Sequence, residues 1–378
     1  MTEQIFTNAR LVLEDEVLDG SLVVRDGVIA EIDRGHSRTG EDLGGAYLAP
    51  GMIELHTDNL ERHMQPRPGV KWPLKAAVIA HDAELASVGI TTVFDAMRVG
   101  SIPSDRRAKY DKYAREVVDH ISTLRASGAL RISHFLHLRA EICTETLPEE
   151  LDEFSPQDRI GIVSLMDHTP GQRQFRDLSK MAQYLTGKYG MGVDAIQDHF
   201  DHLYDLQKRF GAAHEKAAID AGRRLGAVLA SHDDTTLGEV ERSVEIGVSL
   251  AEFPTTIESA RASHKAGLSV IMGAPNLLRG GSHSNNVAAK DLIEAGVLDI
   301  LSSDYAPSSL LMGAVRHGLE AGNMAKGLHM VSAAPARAVA LNDRGELEVG
   351  RRADCIVFDV LEGLPSVKQT WVQGRRVA

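Results

Sequence analysis

The chain has 378 residues, 43% of them hydrophobic and 25% charged, with a formal net charge of −12; it can bury a large core, fits more than one domain, and is too acidic for general binding to nucleic acid or membrane surfaces. Its two cysteines, Cys143 and Cys355, imply no disulfide framework, and no run of about 18 apolar residues points to a membrane span. A cytoplasmic location is expected, and a small anionic partner is still allowed because local arginines can oppose the overall charge.

Residues 1–50 read as short strands and turns. Apolar segments 22–25 and 28–32 flank Asp26-Gly27, a strong signal for a two-residue hairpin. After Ala49-Pro50-Gly51, eight segments read as strands: 52–58, 90–95, 132–141, 161–168, 227–233, 248–253, 268–274 and 298–304. Helical patterns separate most of them, among them 106–126, 195–225 and 257–266. Near-continuous apolar strands alternating with helices predict a parallel sheet covered by helices, and eight such units predict a (β/α)8 TIM barrel. The longest insertion, about 150–225, is helical and is expected to form a lid or a subunit contact. Segments 354–359 and 370–377 return to β grammar. The expected organisation is α/β: a composite β domain from 1–50 plus 345–378, and a barrel domain over 51–344.

Barrel enzymes place their chemistry at the C-terminal ends of the strands. There the sequence offers His56, Asp58, Asp95, Glu141, His168, His232, Glu252 and Asp304. His56 and Asp58 are two residues apart, so on a strand they project the same way, and an imidazole and a carboxylate aimed at one point suit a divalent metal. Any one of these residues is equally explained by helix capping or a backbone contact; the set is not. Asp95 and Glu252 stay closer to such structural roles. Arg139 shares a strand face with Glu141, and Arg173 follows His168, so both could meet a polyanion or else pair with local carboxylates. Arg279-Gly280-Gly281-Ser282-His283 follows the seventh strand, where barrels often hold phosphate. Glycine N–H groups, the serine hydroxyl and the Arg279 fork would suit an anion, with His283 close enough to touch substrate. The alternative is a plain glycine turn. Cys143 reads as a small buried residue.

His56-Thr57-Asp58 after Pro50-Gly51, with His168, His232 and Asp304 on later strands and the return segment ending in Ala353-Asp354, resembles the amidohydrolase superfamily over nearly the whole chain. Two features depart from its usual pattern: Asp58 stands where a second histidine is normal, and no lysine lies at the mid-barrel strand ends. The resemblance implies one or two divalent ions, zinc first, with manganese, iron or nickel possible, held by His56, Asp58, Glu141, His168, His232 and Asp304. Glu141 would bridge, and Asp304 would accept the proton of the attacking water. The segments 54–60, 164–175, 230–234, 251–256, 273–276 with 279–284, and 301–305 are similar to one subgroup that acts on a phosphorylated sugar. That likeness implies hydrolysis of ribose 1-methylphosphonate 5-triphosphate to its 5-phosphate and diphosphate, in phosphonate utilisation, by a homo-oligomer. A cyclic amide hydrolase or deaminase would use the same donors but needs no polyanion cradle. A metal-free scaffold would have lost ligands that are present here.

Overall fold

A computed structural model describes residues 2–104, 112–189, 191–282 and 286–378. Eight strands form one parallel sheet: β1 (Met52–Thr57), β2 (Ile90–Val99), β3 (Ser133–Glu141), β4 (Ile160–Met166), β5 (Val228–His232), β6 (Leu250–Glu252), β7 (Ser269–Gly273) and β8 (Ile300–Ser302). Each pairs with the next in sequence order, and a bridge between Thr57 and Asp304 brings β1 against β8. The result is the predicted barrel, all but closed. Thr57 Oγ1 donates to the Asp304 carbonyl at 2.6 Å and Ser302 Oγ to the His56 carbonyl at 2.6 Å, so the seam is stitched at the site itself.

The lower interior is filled by Ile53, Leu55, Phe94, Ile162, Ala230, Leu250, Ile271 and Ile300. Such side chains make the barrel a packed core below its polar rim. A second apolar layer lies between strands and outer helices, for example Val78 and Leu85 of the helix Leu74–Ser87 with Val118 and Ile121 of the helix Ala114–Ala126.

The chain ends build a second, mostly antiparallel sheet. Tyr47–Pro50 lies between Glu3–Val12 and Cys355–Leu361, joining the N-terminal strands to the C-terminal ones. Phe6, Leu22, Leu48, Val357 and Trp371 share its core. The hairpin signal is realised: Arg25 pairs with Val28, and Asp26 and Gly27 take φ of 48° and 82°, the two positive values a tight twisted hairpin needs.

Within the 150–225 region β4 falls where the 161–168 segment predicts a strand, and the helices Leu178–Tyr189 and Val193–Leu225 follow, the second matching the 195–225 expectation. Leu185, Phe200 and Leu203 from these helices pack with Ile102 and Cys143, above the ends of β2 and β3. Of the expected 106–126 helix, Ala114–Ala126 is helical, and residues 105–111 lie outside the described residues.

Candidate active site

Six of the eight strands end one or two residues sooner than their apolar pattern implies, while β3 ends where expected and β2 runs on to Val99, and residues just past the last rung often turn into left-handed backbone. Asp233 (φ 58°), Phe253 (51°) and Asp304 (52°) do so after β5, β6 and β8. Asparagine and aspartate tolerate this region; a phenylalanine there is an outlier of the kind that gathers at functional sites. Phe253 is held by its N–H on the Ile271 carbonyl at 2.9 Å and packs edge-on against His56 and His232, with ring centroids 4.9 and 5.3 Å away.

At the floor of the site, Glu252 bridges two histidines. Its Oε1 lies 3.0 Å from His56 Nδ1 and its Oε2 3.3 Å from His232 Nδ1. Ser164 Oγ donates to the same carboxylate at 2.7 Å. Burial opposes the charge on Glu252, yet His137 and His56 hold it well below the usual carboxylate range. A carboxylate on Nδ1 fixes the tautomer and leaves Nε2 of each ring with a lone pair, the arrangement that orients metal-ligating histidines. Burial, opposed by Glu252, pushes His232 down to about 3, so this ring is neutral.

A second group lies beside the first. Glu141 accepts from the His168 backbone N–H at 3.1 Å, contacts His168 Nδ1 with its other oxygen, and accepts from the Cys143 thiol at 2.9 Å. Burial alone would raise the Glu141 carboxyl, but His168 brings it to about 2. Cys143 is buried, as expected, and burial raises its thiol. His168 and His232 stand with ring centroids 6.0 Å apart, and His232 Nε2 lies 3.3 Å from Asp233. Burial pushes Asp233 up to about 7. His56, His232 and Glu252 each bring one donor atom within 4.8 Å of the others, and so do His168, His232 and Asp233, so His232 is common to both triplets.

Asp58 and Asp304 belong to neither triplet, but Asp304 is near enough to His56 and Asp58 for their charges to act on it. Burial, then repulsion from Asp58, raises Asp304 to about 6, with His56 and Arg139 opposing. Arg139 is half-buried between these groups: burial disfavours its charge, but Asp58, Glu61 and Asp304 outweigh that and raise it. The six predicted donors and Arg139 therefore converge at one mouth, with His56, His232 and Glu141 buried and Asp58, His168 and Asp304 more open.

Two expectations fail. Arg173 is taken up by protein groups: its Nη1 donates to the His232 carbonyl at 2.5 Å and to Asp234 at 2.9 Å, so it braces the loop below the histidine. The glycine pair is not an open anion cradle. The backbone N–H groups of Gly280 and Gly281 both donate to the Asn276 carbonyl, at 3.1 and 3.0 Å, closing the C-terminus of the helix Ala274–Arg279. Gly280, at φ 81°, is the left-handed cap that such an ending requires. Arg279 is exposed on this helix, Ser282 is half-buried in the following turn, and His283 lies outside the described residues.

The fold brings in four further residues. Glu252, by sequence closer to a structural role, lies between His56 and His232. Asp233 was hidden beside His232. His137 lies on the same strand face as Arg139 and Glu141, a spacing that could have revealed it; its Nδ1 donates to the Leu55 carbonyl at 2.8 Å, leaving Nε2 buried without a hydrogen-bond partner, 3.7 Å from Glu252. Glu54, fully buried, accepts the N–H groups of His56 (2.7 Å) and Ser303 (2.5 Å) across the β1–β8 seam. Asp95, by contrast, faces outward, bonded to His81 and His134 at 2.8 and 2.7 Å, as its structural reading required.

The donor set fits divalent ions. Imidazoles with anchored Nδ1 atoms, ionised buried carboxylates and an unpartnered imidazole nitrogen are costly to bury together unless a cation joins them.

The profile of the amidohydrolase family matches residues 47–377. The chain is 40% identical over 380 residues to alpha-D-ribose 1-methylphosphonate 5-triphosphate diphosphatase of Escherichia coli (strain K12), covering 99% of this chain and 100% of that one. Among solved structures it is similar to molinate hydrolase, with a TM-score of 0.64 at 14% identity over 99% and 94% of the two chains. It is also similar to N-acetyl-D-glucosamine-6-phosphate deacetylase from Mycobacterium smegmatis, with a TM-score of 0.63 at 15% identity over the whole of both. At these identities the two structures speak for the fold alone.

Proposed function

The chain belongs to the amidohydrolase family, and from that footing we infer that it hydrolyses alpha-D-ribose 1-methylphosphonate 5-triphosphate to the 5-phosphate and diphosphate, as a metal-dependent hydrolase of phosphonate utilisation. The observation that carries this reading is the 40% identity along the full length of both chains. A mouth lined by histidines and carboxylates, with Arg139 among them, supports it, because a neutral ring substrate would have no use for that guanidinium.

His56, Asp58, Glu141, His168, His232 and Asp304 would hold one or two divalent ions, with Glu252 orienting the imidazoles of His56 and His232. Mixed nitrogen and oxygen donors favour zinc, without excluding manganese, iron or nickel. Such ions lower the pKa of water toward about 7 and offset phosphoryl charge. Asp304 orients the water and takes its proton. The water oxygen attacks the phosphorus nearest the ribose in line, and the bond to the bridging oxygen breaks to free diphosphate. Arg139 opposes the charge that builds on the phosphoryl oxygens. The hydrophobic layer beneath keeps bulk water to one side.

Phosphorus NMR of a ribose 5-triphosphate compound incubated with metal-loaded protein is the test. Diphosphate should appear, and Asp304→Asn should lose activity by about 10²–10⁴-fold, the usual contribution of a positioned base, while keeping its circular dichroism. An intact triphosphate with every metal tried would end this reading; a fully active Asp304→Asn would end the role given to Asp304.

A further inference from the structure

We infer that Arg125, Arg159, Arg344 and Arg352 form an anion site at the lower end of the barrel, opposite the histidines, and that it takes a phosphate dianion, free or at the end of a small metabolite. The four guanidinium groups gather around the start of β3. Arg344 Nη1 donates to Ser133 Oγ at 3.2 Å and to Thr92 Oγ1 at 3.1 Å, and Arg352 Nη2 donates to the same serine at 3.4 Å. Arg125 donates to the His134 carbonyl at 3.2 Å. Arg159, the residue before β4, lays its Cζ 4.0 Å from the Phe135 ring centroid, and the Arg344 Cζ lies 6.0 Å from the same point. Phe135 is in turn stacked on Phe94 of the lower barrel core, with centroids 4.9 Å apart. Arg344 is buried and the other three are half-buried, so the cluster is reached from solvent.

Charge there is not balanced. Asp343 holds Arg344 at 2.8 and 2.9 Å, and Asp354 holds Arg352 at 2.9 Å. Asp95 and Asp158 act on Arg125, but Asp95 is bonded to His81 and His134, and Asp158 to Arg115. Among the described residues the Arg159 guanidinium has neither hydrogen bond nor ion pair. Burial, then Arg125, Arg344 and Arg352, lowers it to about 10, with Asp343 opposing. Two further nitrogens of the group, Arg125 Nε and Arg352 Nε, are buried without a hydrogen-bond partner. Such donors are costly to leave unpaired, and an anion would answer them. Arg159 also holds a φ of 61°, the left-handed backbone that long side chains avoid and functional sites collect.

The chemistry of the group selects the ligand. Planar forks match the oxygens of a tetrahedral oxyanion, and the ring under Arg159 fixes the plane of its fork. Four guanidinium groups against two directly paired carboxylates leave a surplus of two positive charges, close to the charge of a phosphate group at neutral pH. From Ser133 to Glu141 the strand rises about 26 Å. An anion held here is therefore far from the reaction centre, at a second site.

The test uses the metal-loaded full chain, with inorganic phosphate and ribose 5-phosphate as probes. Arginines are modified with phenylglyoxal, with and without each probe, and mapped by peptide mass spectrometry; calorimetry follows the same additions. Phosphate should slow the modification of Arg159. Arg159→Met, which keeps an apolar stem against Phe135, should weaken one phosphate-binding step by about 10–100-fold, as expected for a charge-assisted contact, and leave turnover unchanged. Arg159→Lys, which keeps the charge but not the fork, should recover part of the loss and carries the comparison if the Met variant folds poorly. Protection by ribose 5-phosphate as well would place the anion at the end of a metabolite, and protection by phosphate alone would make it the free ion. Modification of Arg159 indifferent to both probes, or a phosphate isotherm unchanged in Arg159→Met, would overturn the site.

Discussion

At the scale of single residues, the site is governed by what lies behind the candidate ligands. Glu252 touches both His56 and His232 from beneath, and its charge selects the tautomer that each ring presents upward. Glu252→Gln keeps the shape but can donate a proton to one of the two rings it should accept from. Metal affinity should fall by about 10–100-fold, the common cost of losing such a partner. Metal titration by calorimetry against the unaltered protein checks this, and unchanged affinity would make Glu252 a mere packing group. Arg173 teaches the reverse. Its position after His168 suggested a substrate contact, but Asp234 and the His232 carbonyl lie nearer and take the guanidinium.

At the scale of elements, two features separate structure from catalysis. Gly280 ends the helix Ala274–Arg279 at φ 81°, and a Cβ built there meets nothing within 4 Å. Gly280→Ala should therefore cost only the left-handed strain, about 1–2 kcal/mol, in urea unfolding, with KM unchanged. A raised KM with unchanged stability would restore the anion cradle. Behind the barrel wall, His134 on β3 sits between Asp95 and Asp82, tying β2 and β3 to the helix Leu74–Ser87. Burial alone would push its imidazole down, but the two carboxylates raise it to about 9 from 6.5. The folded state thus holds the proton more tightly than the unfolded chain. Its stabilisation is complete below about pH 6.5 and is lost as pH rises through about 9. His134→Ala removes the cation shared by two buried carboxylates, of which Asp95 keeps His81 and Asp82 keeps the Arg131 and Ile132 N–H groups, and should cost about 3–5 kcal/mol near pH 7. That deficit should shrink by pH 9.5, and a gap that stays constant with pH in denaturant unfolding would rule out the charged triad.

At the scale of the whole molecule, the candidate metal site and the fold share the seam. β1 and β8 meet at the Thr57–Asp304 bridge, and Glu54, Thr57 and Ser302 stitch that joint with the residues that flank the candidate ligands. Burial leaves Glu54 and Asp233 raised to about 7 and Asp304 to about 6, so several acidic groups resist ionising together without a cation. A divalent ion at a thousand times its Kd would add about 4 kcal/mol to folding. Chelation should lower the thermal midpoint by several degrees, and restoring metal should recover it. A midpoint indifferent to chelator would mean that the seam holds without the ion. No helix among the described residues is long and apolar enough to cross a membrane.

Much of the plan was written in local pattern. Apolar strands alternating with helices specified eight barrel units, Asp26-Gly27 specified its hairpin, and the polar residues at strand ends marked the mouth, because period and turn chemistry act over a few neighbouring residues. Strand limits were overrun at Phe253 and Asp304, since a left-handed turn that breaks the ladder leaves no mark in hydrophobicity. Which side chains meet was a different matter. Glu252 reaches His56 across 196 positions, Arg98 stands beside Arg139 only through the β2–β3 register, and the glycine N–H groups were consumed by a cap. Alternation tells a residue which face it occupies, but register between strands separated by whole helices is set by how those helices pack. The sequence by itself determined the barrel and its polar rim, and only the tertiary structure decided which of those polar groups back the histidines, which brace loops and which close helix ends.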